Sequence, residues 1–211
     1  MKASELPDGK FVYGRAVYEG PYHRDSLKLD RRDPEEVLAE WEERGYRQRL
    51  RDVWAGMPKA IGGRVLEVAC HHGKSAFWML EDFPRIEQMH MFDFSRVAIE
   101  HCKRYEKHRA KTTIWCGDVT DIWTRDEYYD WITCLDVTEH LPPKVYKAML
   151  RELWRVCKPN RYLVLMSGSD QQCVEHINLM RDRDLLADFV AIGWRHIASM
   201  AHRHYLLHKG K

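Results

Sequence analysis

The first candidate functional residues of this chain lie in a tight turn of small side chains and histidines. A short apolar run at residues 64–68 ends in the turn 69–73, which leads into the helix-like segment 74–82. About twenty residues further on, a second apolar run ends in the acid Asp93. An α/β fold typically holds a ribose-containing cofactor with this arrangement: a strand, a tight turn, a helix, and a carboxylate at the end of the next strand. The turn would supply backbone N–H groups, and the acid would take two ribose hydroxyls.

Composition limits the class of protein that carries this pattern. The 211 residues are enough for one domain with a full core. We expect residues 1–58 to form an N-terminal arm and helix over a substrate, and residues 59–211 to form the cofactor-binding domain. The net charge of +2 is too mild to demand a nucleic-acid partner. The six scattered cysteines, without a Cys-x-x-Cys pair, indicate reduced thiols and a cytoplasmic protein.

No segment of the chain indicates a membrane partner. No apolar run approaches the roughly 20 residues needed to span a bilayer. The first residues also lack the apolar core of a signal peptide.

Predicted strands and helices, which would position the turn and Asp93, alternate along the chain. We predict strands at 64–69, 87–92, 112–116, 130–135 and 161–167, and helices at 74–82, 95–108, 143–157 and 181–192. Such alternation indicates a parallel sheet. The tail, residues 194–208, has the pattern of two closely joined strands, which should pair antiparallel. The predicted fold is therefore an α/β, Rossmann-like doubly wound sheet of seven strands, mostly parallel with an antiparallel C-terminal strand, plus an N-terminal helical extension.

The N-terminal extension contains a clear helix start. Asp33 is a good N-cap and Pro34 suits the first helical position. Gly45 should bend or split the helix that follows.

Five segments from residue 65 onward carry a family resemblance through their order and spacing. They are the acid and turn at 65–73, the strand end at 92–95, the Gly-Asp pair at 116–119, the Glu-His-Leu segment at 129–141 and the helix at 150–159. From about residue 60 to its end, the chain resembles the class I S-adenosylmethionine-dependent methyltransferases. A weaker match at 175–194 resembles small-molecule members such as quinol O-methyltransferases.

The resemblance implies S-adenosylmethionine as cofactor and assigns roles to residues. Glu67 would reach its amino group, Asp93 both ribose hydroxyls, and Asp118 with the backbone of Val119 the adenine. Gly73 would open the helix after the turn. The expected cofactor-binding residues are Glu67, Ala69, Cys70, His71, Gly73, Asp93, Phe94, Ser95, Gly117, Asp118, Val119, Leu135 and Asp136.

The turn departs from the family pattern at two positions. The family favours three glycines, whereas this chain has Ala69 and His71 at the first two. Histidine tolerates the left-handed conformation better than most residues, so the turn can survive. A modified cofactor pose, a histidine that senses the substrate and lost affinity remain alternatives to the retained binding that we expect. Asn160 also replaces a usual glycine, and asparagine accepts positive φ.

Methyl transfer from a sulfonium is an in-line displacement that needs alignment, desolvation and sometimes a base. His140 is the first candidate base, because the loop after the fourth strand borders the methyl group in this family. A capping or packing role for His140 is the alternative. His176, after the fifth strand, is the second candidate, and Glu139 and Asp136 are candidate orienting residues.

The sequence offers four aromatic residues as candidates for the acceptor site. Tyr13, Tyr18, Tyr22 and Trp41 could line an aromatic or cationic acceptor pocket, or could be packing residues. The tail histidines, among them His204 and His208, are expected on a strand surface. We expect no metal site, because the histidines show neither a His-x3-His helix pair nor cysteine partners.

The sequence therefore favours a methyltransferase that acts on oxygen or nitrogen of a small molecule. A non-catalytic cofactor-binding or scaffold protein is an alternative that Ala69 and His71 motivate. RNA methylation is disfavoured by the mild charge. The Tyr205-x3-Lys209 spacing of a nicotinamide-dependent reductase lies too far along the chain for that fold. The oligomeric state cannot be read from the sequence.

Overall fold

A computed structural model describes residues 23–25, 27–57, 61–105, 107–168, 176 and 178–211. Seven strands of these residues form one sheet, in the order β3-β2-β1-β4-β5-β7-β6. The strands are β1 Gly63–Val68, β2 Ile86–Asp93, β3 Thr112–Cys116, β4 Tyr129–Leu135, β5 Cys157–Met166, β6 Trp194–Met200 and β7 His204–Lys209.

The sheet confirms the predicted topology. Strands β1 to β5 pair in parallel, whereas β7 pairs antiparallel with both β5 and β6. The last strand is thus inserted between its two predecessors. The strand order reverses between β1 and β4, and a crevice at the carboxyl ends of strands at such a point is where open α/β sheets bind ligands.

Six α-helices of the described residues flank the sheet. They are α1 Pro34–Glu43, α2 Tyr46–Ala55, α3 Lys74–Asp82, α4 Arg96–Lys103, α5 Pro143–Val156 and α6 Asp182–Ile192. The predicted start of α1 is confirmed, because the Asp33 side chain accepts a 2.8 Å hydrogen bond from the Glu35 N–H. Gly45, at φ +78°, separates α1 from α2 as expected. Within the described residues, every helix is too short or too polar to cross a membrane.

Two predicted boundaries were wrong. Helix α4 ends at Lys103 rather than at residue 108. The next side chains serve tertiary contacts: the Tyr105 ring is buried 4.2 Å from the Phe77 ring, and the Arg104 guanidinium donates to the Arg32 carbonyl. These contacts compete with continuation of the helix.

Strand β5 starts earlier than predicted. It begins at Cys157, where the helix was expected to end, rather than at residue 161. Cys157 already pairs with Tyr129 of β4, and the ladder then shifts register before Trp131 pairs with Tyr162. The positive φ expected at Asn160 is observed, at +57°.

The core has one layer on each face of the sheet. Leu66 and Val68 of β1 point into the layer that holds α5 and α6, and Val65 points into the opposite layer. This alternation is the ordinary period of a strand buried on both faces. Leu50 and Val53 of α2 belong to the same apolar cluster as Val65, so the N-terminal helices share the core of the sheet.

Candidate active site

A cavity of about 460 Å³ lies at the carboxyl ends of the parallel strands. This volume falls within the usual range for small-molecule and cofactor sites. Segments that follow β1, β2, β3 and β4 contribute to its wall. The residues predicted from the sequence that line it are Trp41, Glu67, Ala69, Cys70, His71, Asp93, Phe94, Gly117, Asp118, Val119, Leu135, Asp136, Glu139, His140 and His176.

Two predicted cofactor residues support the cavity instead of lining it. Gly73 has φ +82° at the start of α3, where a Cβ atom would collide with the Phe77 ring. Ser95 caps α4, since its hydroxyl accepts a 3.3 Å hydrogen bond from the Ala98 N–H. Both residues therefore shape the elements that carry the site.

Three predicted acceptor residues, Tyr13, Tyr18 and Tyr22, lie outside the described residues.

The turn after β1 keeps its shape without the usual glycines. Ala69 and His71 adopt left-handed conformations, with φ of +52° and +53°. The His71 backbone N–H donates a 3.0 Å hydrogen bond to one carboxylate oxygen of Asp93, and the Ser95 N–H donates a 2.9 Å bond to the other. The prediction that histidine can occupy this position is confirmed. The turn thereby fixes the orientation of the carboxylate expected to bind the ribose.

The half-buried His71 side chain contacts two buried imidazoles beside the turn, those of His72 and His23. Its Nδ1 contacts the Nδ1 of His72, and its ring lies 4.6 Å from the ring of His23. Burial, reinforced by neighbouring cationic groups, holds the pKa of His71 and of His72 well below the usual range. Burial and the adjacent His101 lower the pKa of His23 to about 3. These imidazoles are neutral at pH 7 and add no positive charge near a sulfonium cofactor.

Glu67 lies at the floor of the cavity. Its side chain is 4% exposed and accepts hydrogen bonds from the hydroxyls of Thr133 and Ser75. Burial raises its pKa to about 7, against the opposing effects of the Thr133 hydrogen bond and of the Lys74 charge. Glu67 is therefore poised to ionise when a cationic group binds beside it.

Lys74 is a lining residue that the sequence analysis missed. Its ammonium lies 4.7 Å from the centre of the Trp41 ring, which itself stacks on His72 at 5.1 Å. Burial lowers the pKa of Lys74, while the carboxylates of Asp136 and Glu67 oppose the shift. The position of Lys74 in the sequence could have indicated this role. It is the first residue of the helix that follows the turn, and the N-terminus of a helix favours anions.

The loop after β4 forms the opposite wall. A short 3-10 turn, Thr138–His140, places Glu139 in the interior, where its Oε1 accepts a 2.6 Å hydrogen bond from the Gly168 N–H. The His140 and His176 rings lie 4.9 Å apart at 74°. The structure thus brings together the three catalytic candidates from segments far apart in the chain.

The carboxyls on this wall influence each other. Loss of water and the neighbouring Glu139 raise the pKa of Asp136. Burial raises the pKa of Glu139, although the Gly168 N–H and the nearby His176 favour its charged form. The two acids are in hydrogen-bond contact, so they share one proton and do not both carry a full negative charge.

The expectation for the tail histidines was wrong. His204 is 4% exposed and lines the cavity, and His208 is 9% exposed with its ring 5.0 Å from that of Tyr162. Because β7 runs antiparallel, its first residue lies at the same edge as the carboxyl ends of the parallel strands. The tail therefore contributes to the site from the start of a strand.

Comparisons with known proteins agree with this geometry. Residues 65–160 match the family model described as a methyltransferase domain. No curated protein matches the chain.

Solved structures share the fold at low sequence identity. A SAM-dependent methyltransferase from Aquifex aeolicus has a TM-score of 0.60 at 14% identity, over 93% of this chain and 98% of that chain. One from Archaeoglobus fulgidus has a TM-score of 0.58 at 18% identity, over 82% and 75%. The cyclase SpnF has a TM-score of 0.61 at 20% identity over 71% of this chain, which spans 57% of the length of that protein.

The matched range contains the turn after β1, Asp93 and two of the three catalytic candidates, Glu139 and His140. Residues 65–160 are therefore similar to a methyltransferase domain, and the sheet has the Rossmann-like fold of S-adenosylmethionine-dependent methyltransferases of known structure, which implies S-adenosylmethionine as the cofactor.

Proposed function

We propose that the protein transfers the methyl group of S-adenosylmethionine to an oxygen or nitrogen atom of a small molecule. One observation carries the proposal. A single cavity of about 460 Å³ is lined by most of the predicted cofactor residues and also by Glu139, His140 and His176. A cavity of this size suits a cofactor and a compact acceptor, with the two held side by side.

In this proposal the residues at the ends of β1, β2 and β3 would hold the cofactor. The Asp93 carboxylate accepts hydrogen bonds from the ribose hydroxyls, and its two backbone donors hold it in place. Asp118 binds adenine. Glu67 takes the amino group of the methionine part, and Lys74 takes its carboxylate, so the two ends of the zwitterion meet opposite charges.

The reaction is a displacement at the methyl carbon. The acceptor atom forms a bond to carbon as the bond from carbon to sulfur breaks, and the electron pair stays on sulfur to give S-adenosylhomocysteine. The acceptor proton passes to the His140 imidazole, which lines the cavity. The ring of His176 lies against that of His140 and limits its orientation.

Binding of the product cofactor is the first test. Isothermal titration with S-adenosylhomocysteine should give micromolar affinity for the native chain. Asp93→Asn should weaken binding about tenfold or more, since a charge-assisted acceptor is lost. Titration of His71→Gly alongside shows whether the imidazole obstructs the turn. Binding by the glycine variant alone would favour the non-catalytic alternative.

Methyl transfer is the second test. The native chain, incubated with labelled S-adenosylmethionine and a panel of phenols, catechols and amines, should label at least one acceptor. His140→Ala should slow that labelling while leaving S-adenosylhomocysteine binding intact. Cofactor binding without labelling of any small molecule would contradict the proposal. Transfer RNA in the same panel tests the remaining alternative.

A further inference from the structure

Three potential ligand atoms for a metal ion lie close together in the cavity, on the wall that includes the loop after β4. One carboxylate oxygen of Glu139 and one ring nitrogen each of His140 and His176 lie within 4.8 Å of one another. We propose that this cluster, Glu139-His140-His176, binds one divalent first-row transition metal ion. The three side chains come from two segments that are separated by 36 positions in the sequence, 140 to 176.

The two segments are tied together by hydrogen bonds that Asn178 donates to two backbone carbonyls. The Asn178 N–H donates a 2.9 Å bond to the Glu139 carbonyl, and the Asn178 side-chain amide donates a 3.3 Å bond to the Thr138 carbonyl. These bonds fix the segment that carries His176 against the turn that carries the other two ligands. The site is therefore partly preorganised in the absence of an ion.

Gly168 makes the convergence sterically feasible. Its N–H donates to Glu139 Oε1, and a Cβ atom at this position would collide with that oxygen and lie 3.0 Å from Cε1 of His176. In metal sites a ligating carboxylate is usually held in place by a hydrogen bond from a neighbouring group, as Glu139 is here. The glycine allows both ligands to approach the same point.

The donor set selects the class of metal. Two imidazole nitrogens and one carboxylate oxygen suit Zn²⁺, Mn²⁺, Fe²⁺ or Co²⁺ better than Mg²⁺ or Ca²⁺, which prefer oxygen ligands alone. Asp136 touches Glu139 and also lines the cavity, so its carboxylate is available as an additional oxygen ligand. A divalent charge at this position would offset the repulsion between the two adjacent acids.

Three protein ligands leave coordination positions open, as in catalytic rather than structural metal sites. Because all three ligands line the cavity, these positions face the space for the acceptor. A hydroxyl bound there would lose its proton to water more readily and would present an oxygen nucleophile to the methyl group. This step rests on the proposed function and favours a hydroxyl acceptor over an amine. The ion would then replace His140 as the activating group.

Direct metal binding tests the proposal without any activity measurement. Protein dialysed against EDTA is titrated with Co²⁺, followed by visible absorption, and with Zn²⁺, followed by calorimetry. We expect one ion per chain, with ligand-field bands from coordinated Co²⁺. Each of the substitutions His176→Ala, His140→Ala and Glu139→Gln should weaken the binding by about 100-fold or more. This loss is larger than that expected when only a residue that hydrogen-bonds to a metal ligand is replaced. The exposed His196→Ala is the matched control and should bind the ion as the native chain does.

S-adenosylhomocysteine binding is measured on every variant. A variant that keeps this binding but loses the ion supports the site. The proposal is overturned if the native chain binds no ion at millimolar concentration. It is equally overturned if the three variants, while still binding S-adenosylhomocysteine, take up the ion as tightly as the native chain. Native metal binding without any cofactor binding would leave the metal site standing and refute the proposed function instead.

Discussion

Replacement of Glu67 by glutamine should change how the stability of the protein depends on pH. The Glu67 carboxyl is 4% exposed, and burial raises its pKa from 4.5 to about 7. In the folded protein the group keeps a proton that the unfolded chain has already lost. Stability therefore falls as the pH rises from 4.5 to about 7, and the loss is complete above that.

The size of the effect follows from the pKa shift of Glu67. Each unit corresponds to about 1.4 kcal/mol, so the rise from 4.5 to about 7 amounts to about 3 kcal/mol. Glutamine cannot ionise and can still accept the hydrogen bond from Thr133. The free energy of unfolding of Glu67→Gln, relative to the native chain, should therefore increase by about 3 kcal/mol between pH 4.5 and pH 7.5.

Urea unfolding of the ligand-free protein, followed by tryptophan fluorescence at several pH values, measures this difference. The buried histidines also titrate in this range, but they are common to both proteins and cancel. Glu43→Gln, at an exposed position in α1, is the matched control and should show a constant difference from the native chain. A constant difference for Glu67→Gln as well would show that Glu67 ionises normally and would refute the argument from its burial.

Three other substitutions test separate parts of the structure. Lys74→Met should weaken S-adenosylhomocysteine binding about tenfold or more in a calorimetric titration, because it removes the cation proposed to bind the carboxylate of the ligand's amino-acid part. Lys103→Met, on the outer surface, is the control and should leave the affinity unchanged. Glu127→Gly should stabilise the fold by about 0.5–1 kcal/mol in urea unfolding, because Glu127 has φ +53° and glycine relieves that strain at a smaller entropic cost. Phe189→Ala should destabilise the fold by about 3–5 kcal/mol, since this α6 side chain is fully buried against the sheet. The neighbouring Val190→Ala, 52% exposed, should cost much less, and equal losses at the two positions would contradict the assigned packing.

The strands and the lining of the cavity could be predicted from the sequence where local residue patterns determine them. Apolar runs located the strands, and each motif that ends a strand fell on the wall of the cavity because parallel strands bring their carboxyl ends to one edge. The positive φ of His71 could be anticipated from the tolerance of histidine for that region. Local rules therefore sufficed for the position of the cavity and for the shape of the turn that lines it.

Contacts between distant segments could not be anticipated. The end of α4 depends on the packing of Tyr105 on Phe77, which no local propensity encodes. His204 reaches the cavity only because β7 reverses direction. The approach of His176 to Glu139 likewise requires the folded sheet, so spacing along the chain gave no sign of the proposed metal site.

The insertion of β7 between β5 and β6 has a consequence for the order of folding. Strand β6 has no place in the sheet until β7 is paired, since β7 is its neighbour there. Only the three residues Ala201–Arg203 separate the two strands, so their pairing closes a short loop and can form in microseconds. Docking of the finished hairpin onto β5 joins residues about 40 positions apart and is the slower event. We therefore expect the wall around His204 to be completed late, when the hairpin docks as a unit.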